Sequence, residues 1–202
     1  MNKEKILGNY YNKYTSNNFF SKLFIRKYRI AFQNYLKLLD VNNVLEVGSG
    51  EGYLLRYVKE INPILNLYAS DIDWKFVKTS RQNFSKAHWT VCLGEALPFD
   101  SQTFDLVLAC EVLEHVSMPS IFLEELRRVG KKWLIASVPN EPWWRLLNIA
   151  RLKYIKNFGN TPGHVQHWNI SDFSKLITNY IEPYEIRSVF PWIFAIGKFK
   201  RN

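Results

Sequence analysis

The run Glu111-Val112-Leu113-Glu114-His115 carries the most concentrated chemistry in the chain. Glu111 and His115 are four residues apart and Glu114 adjoins His115, so a helical turn starting at Glu111 brings two carboxylates and an imidazole onto one cation. A second cluster, Glu46-Val47-Gly48-Ser49-Gly50-Glu51-Gly52, lies where an apolar strand gives way to a helix. Glycines there let backbone N–H groups approach a ligand, and the helix N-terminus favours an anion. Asp71, 19 positions after Gly52, is placed to accept both hydroxyls of a ribose. A dinucleotide fingerprint requires glycine at position 53, where this chain has Tyr53, and Glu46 at the top of the strand suits an ammonium group and repels a pyrophosphate.

These residues need a scaffold, and the apolar periodicity supplies one. Apolar positions recur at steps of three and four over 22–39, which predicts an amphipathic helix. Strands are expected at 44–47, 65–70, 89–93, 104–110 and 133–138, with helices between them running to about residue 61, over 74–85 and over 118–129. This alternation argues for βαβ crossovers, and the near-continuous apolar content of the first, fourth and fifth strands for a parallel sheet covered on both faces. Beyond residue 139 the alternation lapses; one helix is expected at 143–155, then a helix at 171–179 and two closing strands at 184–190 and 192–199. The chain divides into an N-terminal helical lid (1–43), a core (44–138), an insertion (139–170) and a closing helix with strands (171–202), all within one domain.

In order along the chain, Val44–Gly52, Ala69-Ser70-Asp71-Ile72, Gly94-Glu95-Ala96-Leu97-Pro98-Phe99 and Phe104–Leu108 resemble the successive motifs of class I S-adenosylmethionine-dependent methyltransferases, in their small-molecule branch. The resemblance runs from about residue 42 to 138. It implies an α/β, doubly wound, mostly parallel seven-stranded Rossmann-like sheet, with N-terminal helices and a helical insertion after strand 5. It also implies S-adenosyl-L-methionine as cofactor: Gly48 and Gly50, with Ser49 and Glu46, along the methionine moiety; Asp71 on the ribose; Ile72, Glu95 and Ala96 around the adenine; and Glu111 beside them. The Glu-x-x-Glu-His run is similar to one associated with a divalent metal in small-RNA 2′-O-methyltransferases and ubiquinone-pathway O-methyltransferases. The RNA enzymes take a further histidine from a later segment, which His164–Phe173 resembles, so Glu111, Glu114, His115 and His164 form the implied metal set. Without a metal, His115 or His164 is the candidate base for a hydroxyl acceptor.

The insertion enters where an acceptor should bind. Trp143, Trp144 and Trp168 are candidate pocket walls, Arg145, Arg151, Lys153 and Lys156 candidate contacts to an acidic head group, and Tyr11 and Tyr14 a candidate lid over the cofactor. Residues 1–43 hold 8 basic and 2 acidic side chains and residues 139–202 hold 9 and 4, while 44–138 hold 10 and 12. Positive charge at the two ends points to an acidic small-molecule or lipid-linked substrate or an anionic membrane surface. A nucleic-acid partner is the rival reading, against which stands the lack of a dedicated RNA-binding motif. No segment has the pattern of a secretory signal or the length of a transmembrane span, and Cys92 and Cys110 read as buried thiols. A soluble cytoplasmic enzyme is expected.

Overall fold

A computed structural model describes residues 19–201 of the chain. The elements follow in the order α1 (Phe19–Leu38), β1 (Asn43–Val47), α2 (Tyr53–Ile61), β2 (Asn66–Asp71), α3 (Trp74–Asn83), β3 (Ala87–Val91), β4 (Phe104–Cys110), α4 (Pro119–Val129), β5 (Gly130–Pro139), α5 (Trp143–Ala150), α6 (Ile170–Ile177), β6 (Ile181–Val189) and β7 (Trp192–Phe199). The strands form one sheet in the order β3-β2-β1-β4-β5-β7-β6. β1 to β5 are mutually parallel, and β7 runs antiparallel to both β5 and β6. The doubly wound, mostly parallel seven-stranded sheet expected from the sequence is therefore the fold.

The period-two alternation of a strand explains why the sheet is buried on both sides. Leu45, Val47, Val107, Ala109, Leu134 and Ala136 point to one face, where Phe122, Leu123 and Leu126 of α4 and Phe173 and Ile177 of α6 cover them. Val44, Leu106, Leu108 and Ile135 point to the other, against Phe32 and Tyr35 of α1, Leu55 and Val58 of α2, and Phe194 of β7. The central strands show no polar alternation because neither face meets water.

Several boundaries differ from expectation, β5 and β6 each starting three residues earlier, at Gly130 and Ile181. β3 starts at Ala87, two residues before the apolar run that marked it, because His88 stacks on Tyr68 and Trp89 packs its ring beneath Gly52. The helix expected at 143–155 stops at Ala150: Leu152 and Tyr154 have positive φ, which an α-helix does not allow, and a separate 3₁₀ turn follows at Ile155–Asn157. Of the N-terminal lid only α1 is described; Tyr11 and Tyr14 lie outside the described residues.

The foot of the sheet is held by Asp105. Its carboxylate accepts from the backbone N–H groups of Asn42 at 2.9 Å and Asn43 at 3.2 Å, and Lys132 Nζ lies 3.6 Å away. Burial alone raises the carboxyl pKa, but the two amide donors and Lys132 outweigh it and hold it below the usual range. Asp105→Ala is expected to lower the unfolding free energy by about 1–3 kcal/mol, read as a lower urea midpoint at unchanged slope. Because the folded-state pKa is the lower one, this contribution is complete above the ordinary carboxylate pKa and is lost as pH falls through the folded value. Wild type and variant should converge in stability in acid.

Candidate active site

The carboxyl ends of β1, β2 and β4, with the segment after β3, enclose a cavity of about 250 Å³. One side is the glycine loop. Gly48, Gly50 and Gly52 have φ of 73°, 50° and 70°, and a Cβ on Gly48 would lie 2.3 Å from Val112 Cγ2. Glycine at 48 is thus required twice, by backbone conformation and by the close approach of the segment after β4. The loop hangs on the end of β2: Gly48 N and Ser49 N donate to Ser70 O at 2.8 and 3.0 Å, and Gly50 N donates to Asp71 Oδ2 at 2.7 Å. Asp73 N donates to Asp71 Oδ1 at 2.9 Å, and Asp73 in turn caps α3 through Lys75 N.

Gly48, Gly50, Asp71, Ile72, Glu95, Glu111 and His115 all line this cavity. Glu46, Ser49, Ala96, Glu114 and His164 do not. Glu46 is 4 % exposed, shares the α2-facing side of β1, and accepts from the backbone N–H of Leu55 in the first turn of α2. Its Oε2 makes no hydrogen bond among the described residues. Burial pushes its carboxyl well above the usual range, and the charge of Asp71 pushes the same way. Asp71 is itself raised by burial, against the opposing donors from Asp73, Gly50 and Ile72. Ile72 is 47 % exposed, an apolar side chain left open beside the cavity.

The segment after β3 is positioned by residues that no motif singled out. Glu125 Oε1 accepts from Leu97 N at 2.7 Å, and Arg128, paired with Glu125, donates to Leu97 O at 2.9 Å and Phe99 O at 2.7 Å. This clamp from α4 presents Glu95 to the cavity. Val112 and Phe76 also line it.

The geometry sets Glu111 apart from the other three residues of the expected metal set. The turn begins at Leu113, as a 3₁₀ turn over Leu113–His115, and Glu111 itself has φ of 62°. Its Oε2 accepts from Trp192 Nε1 at 2.7 Å. Glu111 is thereby turned towards β7, and the group able to share an ion is Glu114, His115 and His164, whose nearest ligand atoms lie within 4.8 Å of one another. His115 Nδ1 lies 2.9 Å from Gly163 O; a carbonyl only accepts, so Nδ1 carries the proton and the lone pair of the neutral ring sits on Nε2. His164 is 9 % exposed, meets His115 edge to face at 4.9 Å, and stacks on Trp144 at 6.5 Å. Trp144 continues to Trp192 at 5.9 Å, so indoles link the histidine pair to Glu111. Trp168 packs instead on Phe173, away from this wall. The thiols Cys92 and Cys110 are free; burial pushes Cys110 up to about 12 and Cys92 upward as well, which disfavours the thiolate form of each.

A parallel sheet with a glycine loop after β1, an acid ending β2 and a ligand cavity at the carboxyl edge defines a class of nucleotide-cofactor enzymes. Residues 45–133 match the family described as a methyltransferase domain, so the core of the chain carries a methyltransferase domain. Solved structures agree in fold. A methyltransferase from Aquifex aeolicus superposes with a TM-score of 0.68 at 16 % identity, covering 85 % of this chain and 89 % of that one. The Synechocystis magnesium protoporphyrin IX methyltransferase with bound S-adenosylhomocysteine gives 0.66 at 18 %, covering 92 % and 89 %. A complex of the Haloferax volcanii Trm112 methyltransferase activator with a methyltransferase gives 0.71 at 16 %, covering 89 % and 93 %. No curated protein matches the chain in sequence.

Gly48→Ala is expected to weaken S-adenosylhomocysteine binding roughly tenfold by calorimetry, because the new methyl must displace Val112 at the cavity wall. Adding Val112→Ala should restore part of the affinity, since the clash is relieved while the φ strain stays. Unchanged binding in Gly48→Ala would show that the loop does not cradle the cofactor.

Proposed function

We propose that the enzyme transfers a methyl group to an oxygen of a small-molecule or lipid-linked acceptor, acidic in character, with His115 taking the proton. The observation that carries this reading is His115 itself: it lines the same cavity as Gly48, Gly50 and Asp71, and its Nδ1 is committed to Gly163 O. In this reading Gly48 and Gly50 hold the methionine end of S-adenosylmethionine, Asp71 the ribose, and Ile72 and Glu95 the adenine, while Ser49 and Ala96 adjoin them from outside the cavity. Glu46, buried beneath the loop, would take up its charge against burial as an ammonium group approaches it. The cradle at Gly48 and the polar end of β2 fit such a ligand. The two free thiols suit a reducing cytoplasmic compartment.

When bound, S-adenosylmethionine supplies a methyl on a sulfonium sulfur that departs with its electron pair as a neutral thioether. The protein's task is to hold the acceptor oxygen in line with that carbon, which lowers such barriers by roughly 7–11 kcal/mol in favourable cases. His115 Nε2 receives the hydroxyl proton as the new C–O bond forms. His164, packed against His115, restrains the ring. Trp144 closes the acceptor side, and Arg145, Arg151, Lys153 and Lys156 give the insertion the charge for an acidic group.

Glu114, His115 and His164 favour a second reading, in which the cluster holds a divalent ion that lowers the pKa of an acceptor hydroxyl, as for an RNA 2′-hydroxyl. Two measurements separate them. His115→Asn keeps a donor for Gly163 O but lacks the basic nitrogen, and should lower kcat by roughly 10²-fold or more while leaving cofactor affinity intact. Activity with the acceptor, once found by metabolite profiling with a labelled methyl donor, should survive exhaustive chelation; loss on chelation with recovery on metal add-back would establish the ion and displace the base.

Asp71→Ala tests the cofactor assignment. With its charge-assisted bonds to the ribose removed, affinity for S-adenosylhomocysteine should fall at least about tenfold. Undiminished affinity in a folded variant would remove the ribose role and leave Asp71 as the anchor of the glycine loop.

A further inference from the structure

Helix α5 is amphipathic in the inverted sense. Its one buried residue is the polar Asn148, while Trp143, Leu146 and Ile149 are 53 %, 51 % and 39 % exposed. Asn148 Nδ2 donates to Gly159 O at 2.9 Å and Thr161 Oγ1 at 3.1 Å, and Trp144 Nε1 donates to Thr161 Oγ1 at 3.0 Å. Polar contacts thus tie the helix to its own return loop. Gly159 allows the tie: its φ is 74°, and a Cβ there would lie 2.3 Å from Arg145 O. The loop continues the outward pattern, with Leu152 80 %, Ile155 54 % and Phe158 79 % exposed. Every third residue from 143 to 158 is therefore apolar and open to water.

Single exposed apolar side chains are ordinary on a protein surface, but a sustained run of six on one insertion marks a contact. The charge identifies its partner. No acidic residue occurs from Pro142 to Ser171, and Arg145, Arg151, Lys153 and Lys156 are interleaved with the apolar run. Apolar side chains with a tryptophan, set among cations alone, match a bilayer interface with anionic headgroups. At its other end the loop reaches Gly163 and His164, so a surface holding residues 143–158 lies next to the histidine pair.

We propose that residues 143–158 dock the enzyme on an anionic membrane surface. Drawing the acceptor from that surface rests on the methyl-transfer reading above; the docking does not. The test is co-sedimentation of the full chain, without cofactor, with vesicles of phosphatidylcholine alone or mixed with phosphatidylglycerol. Binding is expected to the mixed vesicles, roughly tenfold weaker to the neutral ones and weakened by salt. Leu152→Glu with Phe158→Glu should reduce binding roughly tenfold or more, while the thermal midpoint and S-adenosylhomocysteine affinity stay unchanged, because both side chains already face water. Arg151→Gln with Lys156→Gln, which keeps the apolar run, should abolish the preference for the mixed vesicles. Absence of binding to mixed vesicles, or binding undiminished by the double glutamate variant, would overturn the proposal. So would a vesicle-free dimer that the glutamates dissociate, since the occupant would then be a second copy of the chain.

Discussion

The hydrogen bond from Gly50 N to Asp71 Oδ2 is the contact on which the active site depends. β1 and β2 are adjacent parallel strands, so their carboxyl ends arrive side by side and leave unpaired backbone groups at the sheet edge. The glycine loop satisfies them by turning through left-handed conformations across the end of β2 and donating to Ser70 O and Asp71. A loop with side chains at those positions would carry backbone strain and, at Gly48, a collision with Val112. The floor of the cavity, the orientation of Asp71 and the position of the segment after β4 are consequences of this one junction.

The same junction gathers two acids in a poorly hydrated place. Glu46 and Asp71 each lose solvation, and a neighbouring charge adds to each upward displacement, that of Asp71 on Glu46 and that of Asp73 on Asp71. Burying such a pair is costly unless something compensates. Part of the compensation is internal, from the N–H groups of Leu55, Gly50, Ile72 and Asp73. A ligand with an ammonium group and vicinal hydroxyls would complete it, while a pyrophosphate would add to the repulsion.

The sheet was legible because its signals are local. Short apolar runs, the first three of them closed by Gly48, Asp71 and Gly94, indicated all seven strands to within a few residues, and the motif at 44–52 announced its own backbone geometry. What was not legible depends on contacts distant in the chain. Nothing near Glu111 indicates that Trp192, on β7, takes its carboxylate, and this pairing removes Glu111 from the cluster of Glu114, His115 and His164. The clamp of Glu125 and Arg128 on Leu97 and Phe99 was hidden for the same reason, since an Glu-x-x-Arg pair on a helix surface ordinarily reads as solvated. Spacing identified the residues of the Glu-x-x-Glu-His run, but the start of the turn decides which of them converge, and periodicity locates turn boundaries poorly.

The insertion after β5 obeys different rules from the core, and the difference is itself informative. In α2 and α4 the apolar residues are inside, as burial dictates. In α5 the apolar spacing is equally regular, yet Asn148 takes the inner position and fixes the helix by hydrogen bonds to Gly159 and Thr161. An apolar residue at 148 would leave the carbonyl of the buried Gly159 without that donor, at a cost of about 1–3 kcal/mol, while Thr161 Oγ1 would keep only Trp144 Nε1. The inversion is therefore locked by the loop it holds, and the outward apolar run cannot rotate inward without breaking the same bonds that set Thr161, Gly163 and His164 against Trp144 and His115. The geometry of the histidine pair and the exposure of the apolar run are two results of one packing solution.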